Sequence, residues 1–198
     1  MNISNGFYDV PRGKVAAVAT YLQMFQRPAP RTGPSKESWT LRQTNFPNLD
    51  DYRGLFRLIG QEWLWFSRLR LSDGELGKIL NDPLYDTYVF NAGDENRGLL
   101  ELDFRFEGDC EIQFFGLASE MLGQGAGRWM MNRALELAWS RPIRRLWLHT
   151  CTFDHPEALD FYIRTGFAPY RRQVEVADDP RFDGLLPKTS APHIPLLG

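Results

Sequence analysis

Apolar and polar positions divide this chain into short strands and a few helices. KVAAVATYLQMF, residues 14–25, is an apolar run whose periodicity fits helix or strand, and it is read here as a strand. QRPAPRTGPSKE, residues 26–37, carries prolines and polar residues and reads as a linker. WTLRQT follows as a strand, then NLDDYRGLFRLIGQEW and SDGELGKILND as helices, the second with Ser72 or Asp73 as N-cap. YDTYVF, LLELDFRF and CEIQFFGLA are strands separated by NAGDENRG and EGD, turn segments short enough for antiparallel hairpins.

Beyond residue 118 the pattern changes. GQGAG opens a helix through Trp139 with Met130, Ala134, Leu137 and Ala138 on one face, and Pro142 helps to end it. RRLWLHTCTF reads as a strand and HPEALDFYIRT as a short helix with Gly166 as its left-handed C′ residue. YRRQVEVA is the last strand. The strand–helix–strand unit from Cys110 to Phe153 calls for a parallel pair with a right-handed crossover. The expected class is α/β: a mixed, largely antiparallel central sheet with helices on both faces. Residues 1–37 are taken as an N-terminal extension with one strand and the Pro-rich linker, 38–186 as the main domain, and 187–198 as an irregular tail.

At 198 residues, 43% hydrophobic and 14% aromatic, the chain suits one domain with a sizeable core. A formal charge of −2 argues against a broad grip on nucleic acid. No run of about 18 apolar residues is present to span a bilayer, and the start MNISNGFYDVPRGK lacks the pattern of a secretory leader. Cys110 and Cys151 lack metal-ligand spacing and read as reduced buried thiols, so a cytoplasmic location and no metal are expected. A homodimer is left open.

The segment richest in chemistry is EIQFFGLASEMLGQGAGRWMM, residues 111–131. A strand runs into a loop with Gly123, Gly125 and Gly127 at a helix start. Free amides and the helix dipole make such a start an anion site, and glycines let a pyrophosphate approach the main chain. A Walker loop is excluded because Arg128, not a Lys-Ser/Thr pair, follows Gly127, and Arg128 also breaks the dinucleotide fingerprint G-x-G-x-x-G. Glycines that merely permit close helix–strand packing are the alternative.

Together with TFDHPEALDFYIRTGF, residues 152–167, this segment resembles the GNAT superfamily of N-acetyltransferases. The family loop Q/R-x-x-G-x-G/A falls on Leu122, Gly123, Gln124, Gly125, Ala126 and Gly127, with Leu122 replacing the usual Gln or Arg. The family signature N-x-x-A-x-x-x-Y-x-x-x-G-F falls on Ala158, Tyr162, Gly166 and Phe167, with His155 in the Asn position. The resemblance covers roughly Trp39 to Val176. It implies acetyl-CoA as cosubstrate, a pyrophosphate held by the loop amides with Arg128 nearby, and His155 beside the coenzyme arm. It further implies that the main chain of Phe115 stabilises an oxyanion, that Leu117 aligns the pantetheine, and that Tyr162 protonates the leaving thiolate. On the residues alone, Asp154 or His155 reads equally as a helix N-cap, and Tyr162 as a buried tyrosine.

EIQFFGLASE also resembles the matching strand of the histone acetyltransferase branch, which implies Glu111 as general base. Glu101 and Asp103 compete for that role. Residues 111, 113, 115 and 117 share a strand face unless a bulge intervenes. The expected acceptor is an amine, on a small molecule or on a protein N-terminus or lysine; a catalytically inactive acyl-CoA-binding module is the alternative. Cys151 as an acyl carrier is a minor option. Trp63, Trp65 and Phe66 either stack on the acceptor or belong to the core, and the core is favoured.

Overall fold

The computed structural model describes residues 4–198; the first three residues of the expected extension lie outside the described part. The elements are β1 (Lys14–Met24), β2 (Trp39–Gln43), α1 (Leu49–Gly60), α2 (Asp73–Leu80), β3 (Tyr85–Ala92), β4 (Glu95–Asp103), β5 (Asp109–Leu117), α3 (Ala126–Ala138), β6 (Arg145–Cys151), α4 (Ala158–Thr165) and β7 (Ala168–Asp178). They build one seven-stranded sheet in the order β2-β3-β4-β5-β6-β1-β7. Only β5 and β6 run parallel, joined by the crossover through α3, so the mixed sheet expected from the sequence is realised.

Local chemistry explains most boundaries. Asn48 caps α1 by accepting from the Asp50 amide at 3.0 Å, and Ser72 and Glu75 form a reciprocal capping box on α2. Gly166 ends α4 at φ 113°, a conformation that favours glycine. Residues 61–63 and 67–70 form short 3₁₀ turns between α1 and α2. Helix α4 begins at Ala158, three residues later than the HPEALDF pattern suggested, because His155 and Pro156 lie in the turn before it.

Each sheet face has its own core. On one, Met131, Ala134, Leu135 and Ala138 of α3 and Tyr162 of α4 pack on Leu22, Leu100, Leu102, Ile112, Leu146 and Leu148. On the other, Tyr52, Leu55, Phe56 and Ile59 of α1 pack on Tyr85, Val89, Leu99 and Phe114. The α1 residues recur at i, i+3, i+4 and i+7, as a helix lying on a sheet requires. Leu137, expected on the buried face of α3, falls at the margin of that stripe and is half-buried; Met131 and Leu135 take the interior places.

Strand β1, grouped by its sequence with the extension, is an interior strand here, antiparallel to both β6 and β7. Its buried side changes phase along the strand: Val15, Ala17 and Ala19 are buried at odd positions, and Thr20, Leu22 and Met24 at even ones, so both faces of β1 contribute to the interior. Residues 25–38 then carry the chain to β2 at the opposite edge of the sheet.

Candidate active site

Strands β5 and β6 pair only through Asp109↔Arg145, Cys110↔Leu146 and Glu111↔Trp147. β5 nevertheless continues to Leu117 and β6 to Cys151, so the two diverge. The β6-facing edge of β5 is therefore unpaired past Glu111. Ala118 donates its amide toward β4, to the Arg97 carbonyl at 2.9 Å, and alternation then turns the main chains of Leu117 and Phe115 toward the open side. A cavity of about 610 Å³ fills the opening. Its wall includes Phe115, Leu117, Leu122, Gly123, Gly127, His155 and Tyr162 from among the expected site residues.

Glu111 does not line this cavity. The register runs Leu102↔Ile112 and then Glu101↔Phe114, so Gln113 is an extra residue bulged from β5. The bulge breaks the common face of residues 111, 113, 115 and 117: Glu111 shares its side with Phe114 and Gly116, and Ile112 shares the other with Phe115 and Leu117. Glu111 is 6% exposed, and its Oε1 lies 3.4 Å from Nδ1 of His149, whose ring does line the cavity. The Glu111 carboxylate raises the His149 pKa above the ordinary histidine value; burial opposes the shift, and Asp154 and Glu175 add to it.

The two competing carboxylates are structural. Glu101 is fully buried and accepts from Tyr52 Oη at 2.6 Å, from Tyr85 Oη, and from Arg68 Nη2 at 3.1 Å. Asp103 is held by the Arg105 guanidinium at 2.6 Å. Neither reaches the cavity wall.

The glycine loop leads into α3 without a side-chain cap, Gly125 serving as N-cap at φ 84°. The first-turn amides of α3 thus have no intrahelical acceptor and no capping side chain. Gly123, at φ 73°, has open space where a Cβ would stand, and at Gly127 only Leu117 Cδ1 comes near, at 3.9 Å. These two positions can admit a pyrophosphate, so the loop fits acetyl-CoA there. Gly125 is different: a Cβ would stand 2.3 Å from Pro34 Cγ, so a segment of the linker covers it. Arg128 donates to the Thr32 carbonyl at 2.9 Å, and Gln124 binds Lys36 at 2.6 Å and the Glu120 carbonyl at 2.7 Å. Ala126 is fully buried against the core. Gln124, Gly125, Ala126 and Arg128 therefore lie beside the cavity, not on its wall.

At the far end, Tyr162 is 8% exposed and its ring packs between Phe115, Phe161 and Phe167. Burial, with a smaller push from Asp154, raises its phenol well above the ordinary tyrosine value. Asp154 accepts from Thr150 Oγ1 at 2.7 Å, from the Cys151 amide at 2.8 Å and from Trp65 Nε1 at 3.3 Å. It ties down the turn after β6 and does not cap α4, whose N-cap Glu157 has no side-chain bond. His155 Nδ1 accepts from the Glu157 amide at 3.2 Å, which leaves Nε2–H as a donor on the cavity side. Cys151 is on the wall, and burial pushes its thiol up to about 12, which suits a protonated thiol poorly matched to an acyl carrier's work.

Trp63, Trp65 and Phe66 also line the cavity, and Trp65 at the same time packs against the α1 core, as expected of it. α1 ends at Gly60 and Leu64 adopts φ 51°, so the chain leaves the helix and presents Trp63 from a 3₁₀ turn and Trp65 and Phe66 from the link to the next one. Trp63 meets His155 edge-on at 5.3 Å, and Trp65 packs on Phe114 at 5.1 Å. Asp154, Glu157 and Glu175 contribute carboxylates, and no Lys or Arg among the described residues lines the wall.

A parted parallel pair, a glycine loop at an uncapped helix and a cavity between them stand together on this α/β sheet. The family model of the acetyltransferase (GNAT) family matches residues 49–167, and the chain belongs to that family. No functionally curated sequence matches. Among solved structures, a functionally unknown conserved protein from Staphylococcus epidermidis is 15% identical at TM-score 0.57; the match covers 84% of this chain but only 63% of that one. An aminoglycoside acetyltransferase from an uncultured soil metagenomic sample, in complex with sisomicin, is 18% identical at TM-score 0.53, covering 65% of this chain and 88% of that one. An IAA acetyltransferase from Bacillus cereus is 18% identical at TM-score 0.52, covering 68% and 79%. At these identities the likeness establishes the fold. No helix among the described residues is long and apolar enough to cross a membrane.

Proposed function

We propose that this chain transfers an acetyl group from acetyl-CoA to a primary amine by direct attack within a ternary complex. The observation that carries the reading is the unpaired edge of β5 opening onto the cavity beside the uncapped start of α3. The amides around Gly123 and Gly127 hold the pyrophosphate, and the main chain of Leu117 aligns the pantetheine arm. Bound there, acetyl-CoA supplies the thioester carbonyl that the amine attacks. The Phe115 N–H faces the open side and stabilises the oxyanion as it develops. As the N–C bond forms and the C–S bond breaks, the amine gives up a proton on the Glu111 side, and the Tyr162 hydroxyl bonds or protonates the departing sulfur. His155 donates from Nε2 toward the coenzyme arm.

The acceptor amine is a small molecule or a protein N-terminus or lysine. The carboxylates of Glu157 and Glu175 favour a cation, and the Trp63, Trp65 and Phe66 rings offer a flat apolar wall. Release of free thiol from acetyl-CoA, measured across arylalkylamines, polyamines, aminoglycosides and lysine peptides, tests this reading. Turnover with at least one class is the expected result. A melting temperature raised by acetyl-CoA without thiol release from any acceptor would favour the inactive acyl-CoA-binding module. No shift and no turnover would remove both.

A further inference from the structure

We propose that His149, not Glu111, takes the proton from the attacking amine, and that Glu111 is the positioning residue behind it. This rests on the acetyl-transfer reading of the cavity. The parallel register sets Glu111 opposite Trp147, and His149 lies two residues further along β6, on the same strand face. That is the point at which β5 and β6 have parted. The bulge at Gln113 separates Glu111 from the Phe115 side of its own strand; its carboxylate is buried off the cavity wall, 3.4 Å from the His149 ring that lines it.

The ring is oriented for the task. Nδ1 lies 3.4 Å from Glu111 Oε1, a carboxylate that favours the neutral tautomer with its proton on Nδ1 and its lone pair on Nε2. No protein partner among the described residues occupies Nε2. Tyr21 stacks on the imidazole at 5.2 Å and 29°, and the Arg171 guanidinium lies over the tyrosine ring, 4.0 Å from its centre. The ionisable groups around the imidazole are Glu111 on β5, Asp154 after β6 and Glu175 on β7, all acidic, with Arg171 beyond Tyr21. The amine's N–H proton passes to Nε2 as the N–C bond forms. The thiolate sulfur takes a proton from Tyr162, which solvent reprotonates, or from water, and the imidazolium returns its proton to solvent, so the exchange balances with no further reactant.

The carboxylates raise the histidine's pKa, and only neutral imidazole can accept a proton, so turnover rises with pH through that pKa. The experiment measures the pH dependence of kcat/KM for wild type, His149→Gln and Glu111→Gln with one amine, whose own ionisation is then common to all three. His149→Gln should lower kcat by about 10² or more and abolish the protein's contribution to the acid limb, while the acetyl-CoA Kd stays within a few-fold. Glu111→Gln should keep the limb but move it to lower pH, because the charge that raised the histidine is gone. An NMR titration reads the pair without turnover, and is simple because the chain has only 3 histidines. The His149 ring should titrate above the ordinary value in wild type and lower in Glu111→Gln. Wild-type kcat in His149→Gln, an unmoved limb or a histidine pKa that does not fall in Glu111→Gln would each overturn the assignment. Absence of turnover in wild type with an intact titration shift would instead count against acetyl transfer.

Discussion

Pro34 is seated on Gly125, with its Cγ 2.3 Å from where a Cβ on that glycine would stand. The contact belongs to a strap. Asn132 and Arg31 exchange hydrogen bonds at 2.8 and 3.2 Å, Arg128 holds the Thr32 carbonyl, and Lys36 reaches Gln124. Gly125→Val meets this strap and also forces a branched side chain into the left-handed region, at φ 84°. That conformation alone costs roughly 1–2 kcal/mol, so Tm should fall by about 2–8 °C for a domain of this size. Protease cutting within residues 26–37 should rise with it. An unchanged Tm and cutting rate would mean that the strap does not rest on the glycine loop in solution.

Gly127→Val separates coenzyme binding from folding. Gly127 is helical, and a Cβ there finds only Leu117 Cδ1 at 3.9 Å, so the free protein should keep its Tm within a few degrees. The added methyls enter the space beside the first-turn amides. The acetyl-CoA Kd should rise at least about tenfold, which corresponds to 1.4 kcal/mol. Isothermal titration of both proteins checks it; equal affinity would move the pyrophosphate away from this loop.

What was legible in the sequence was mostly local chemistry. Ser72 announces a helix N-cap, Gly166 announces a helix end, and the short turns before β4 and β5 announce hairpins. The neighbours of β1 were not legible, because nothing within KVAAVATYLQM states which strands will flank it. The bulge at Gln113 is likewise a property of two strands, a count of two residues against one on β4, and it redirected Glu111. His149 could be placed on the same face as Trp147 by alternation, but its approach to Glu111 depends on a parallel register set across the α3 crossover. Trp63, Trp65 and Phe66 read as core because they continue the apolar run of α1; the left-handed turn at Leu64 also brings them to the cavity wall, where Trp65 keeps its core contact.

The irregular tail is anchored by a buried ion pair. Asp179 and Arg181 side chains are each 1% exposed and 2.7 Å apart, and Arg181 also donates to the carbonyls of Ser190, Ile194 and Pro195. Asp179→Asn leaves the guanidinium without its counter-charge, a change that costs about 3–5 kcal/mol for a buried pair. Tm should drop by on the order of 10 °C. Burial alone would raise the Asp179 pKa, but the bonds from Arg181 outweigh it and hold the carboxyl below its usual value. A depressed carboxyl stabilises the fold above its unfolded pKa of about 3.9, and that stability is lost as pH falls through the folded value. Wild-type Tm should therefore fall below about pH 4 by an increment that Asp179→Asn lacks. Parallel acid profiles for the two proteins would remove this account of the tail.

Tyr162→Phe should impair chemistry while sparing coenzyme binding. The ring packs against Phe115, Phe161 and Phe167, and phenylalanine preserves those contacts, so Tm should change little. What is lost is a hydroxyl on the cavity wall. Burial holds that phenol well above its ordinary value, so it stays protonated throughout the working range. The same shift widens the gap to a thiol, whose reference pKa is about 8.5, and makes full transfer to a free thiolate more uphill. On the proposed mechanism Tyr162 would therefore serve mainly as a hydrogen-bond donor to sulfur as charge builds in the transition state, with transfer coupled to C–S cleavage. Loss of one such fixed donor lowers kcat by about 10²-fold, while the acetyl-CoA Kd stays within about twofold. An acetyl thioester with a more acidic thiol leaving group should narrow the deficit, because less charge on sulfur then needs support. A variant with unaltered kcat, or an equal deficit with both leaving groups, would make Tyr162 a packing residue of the α4 face.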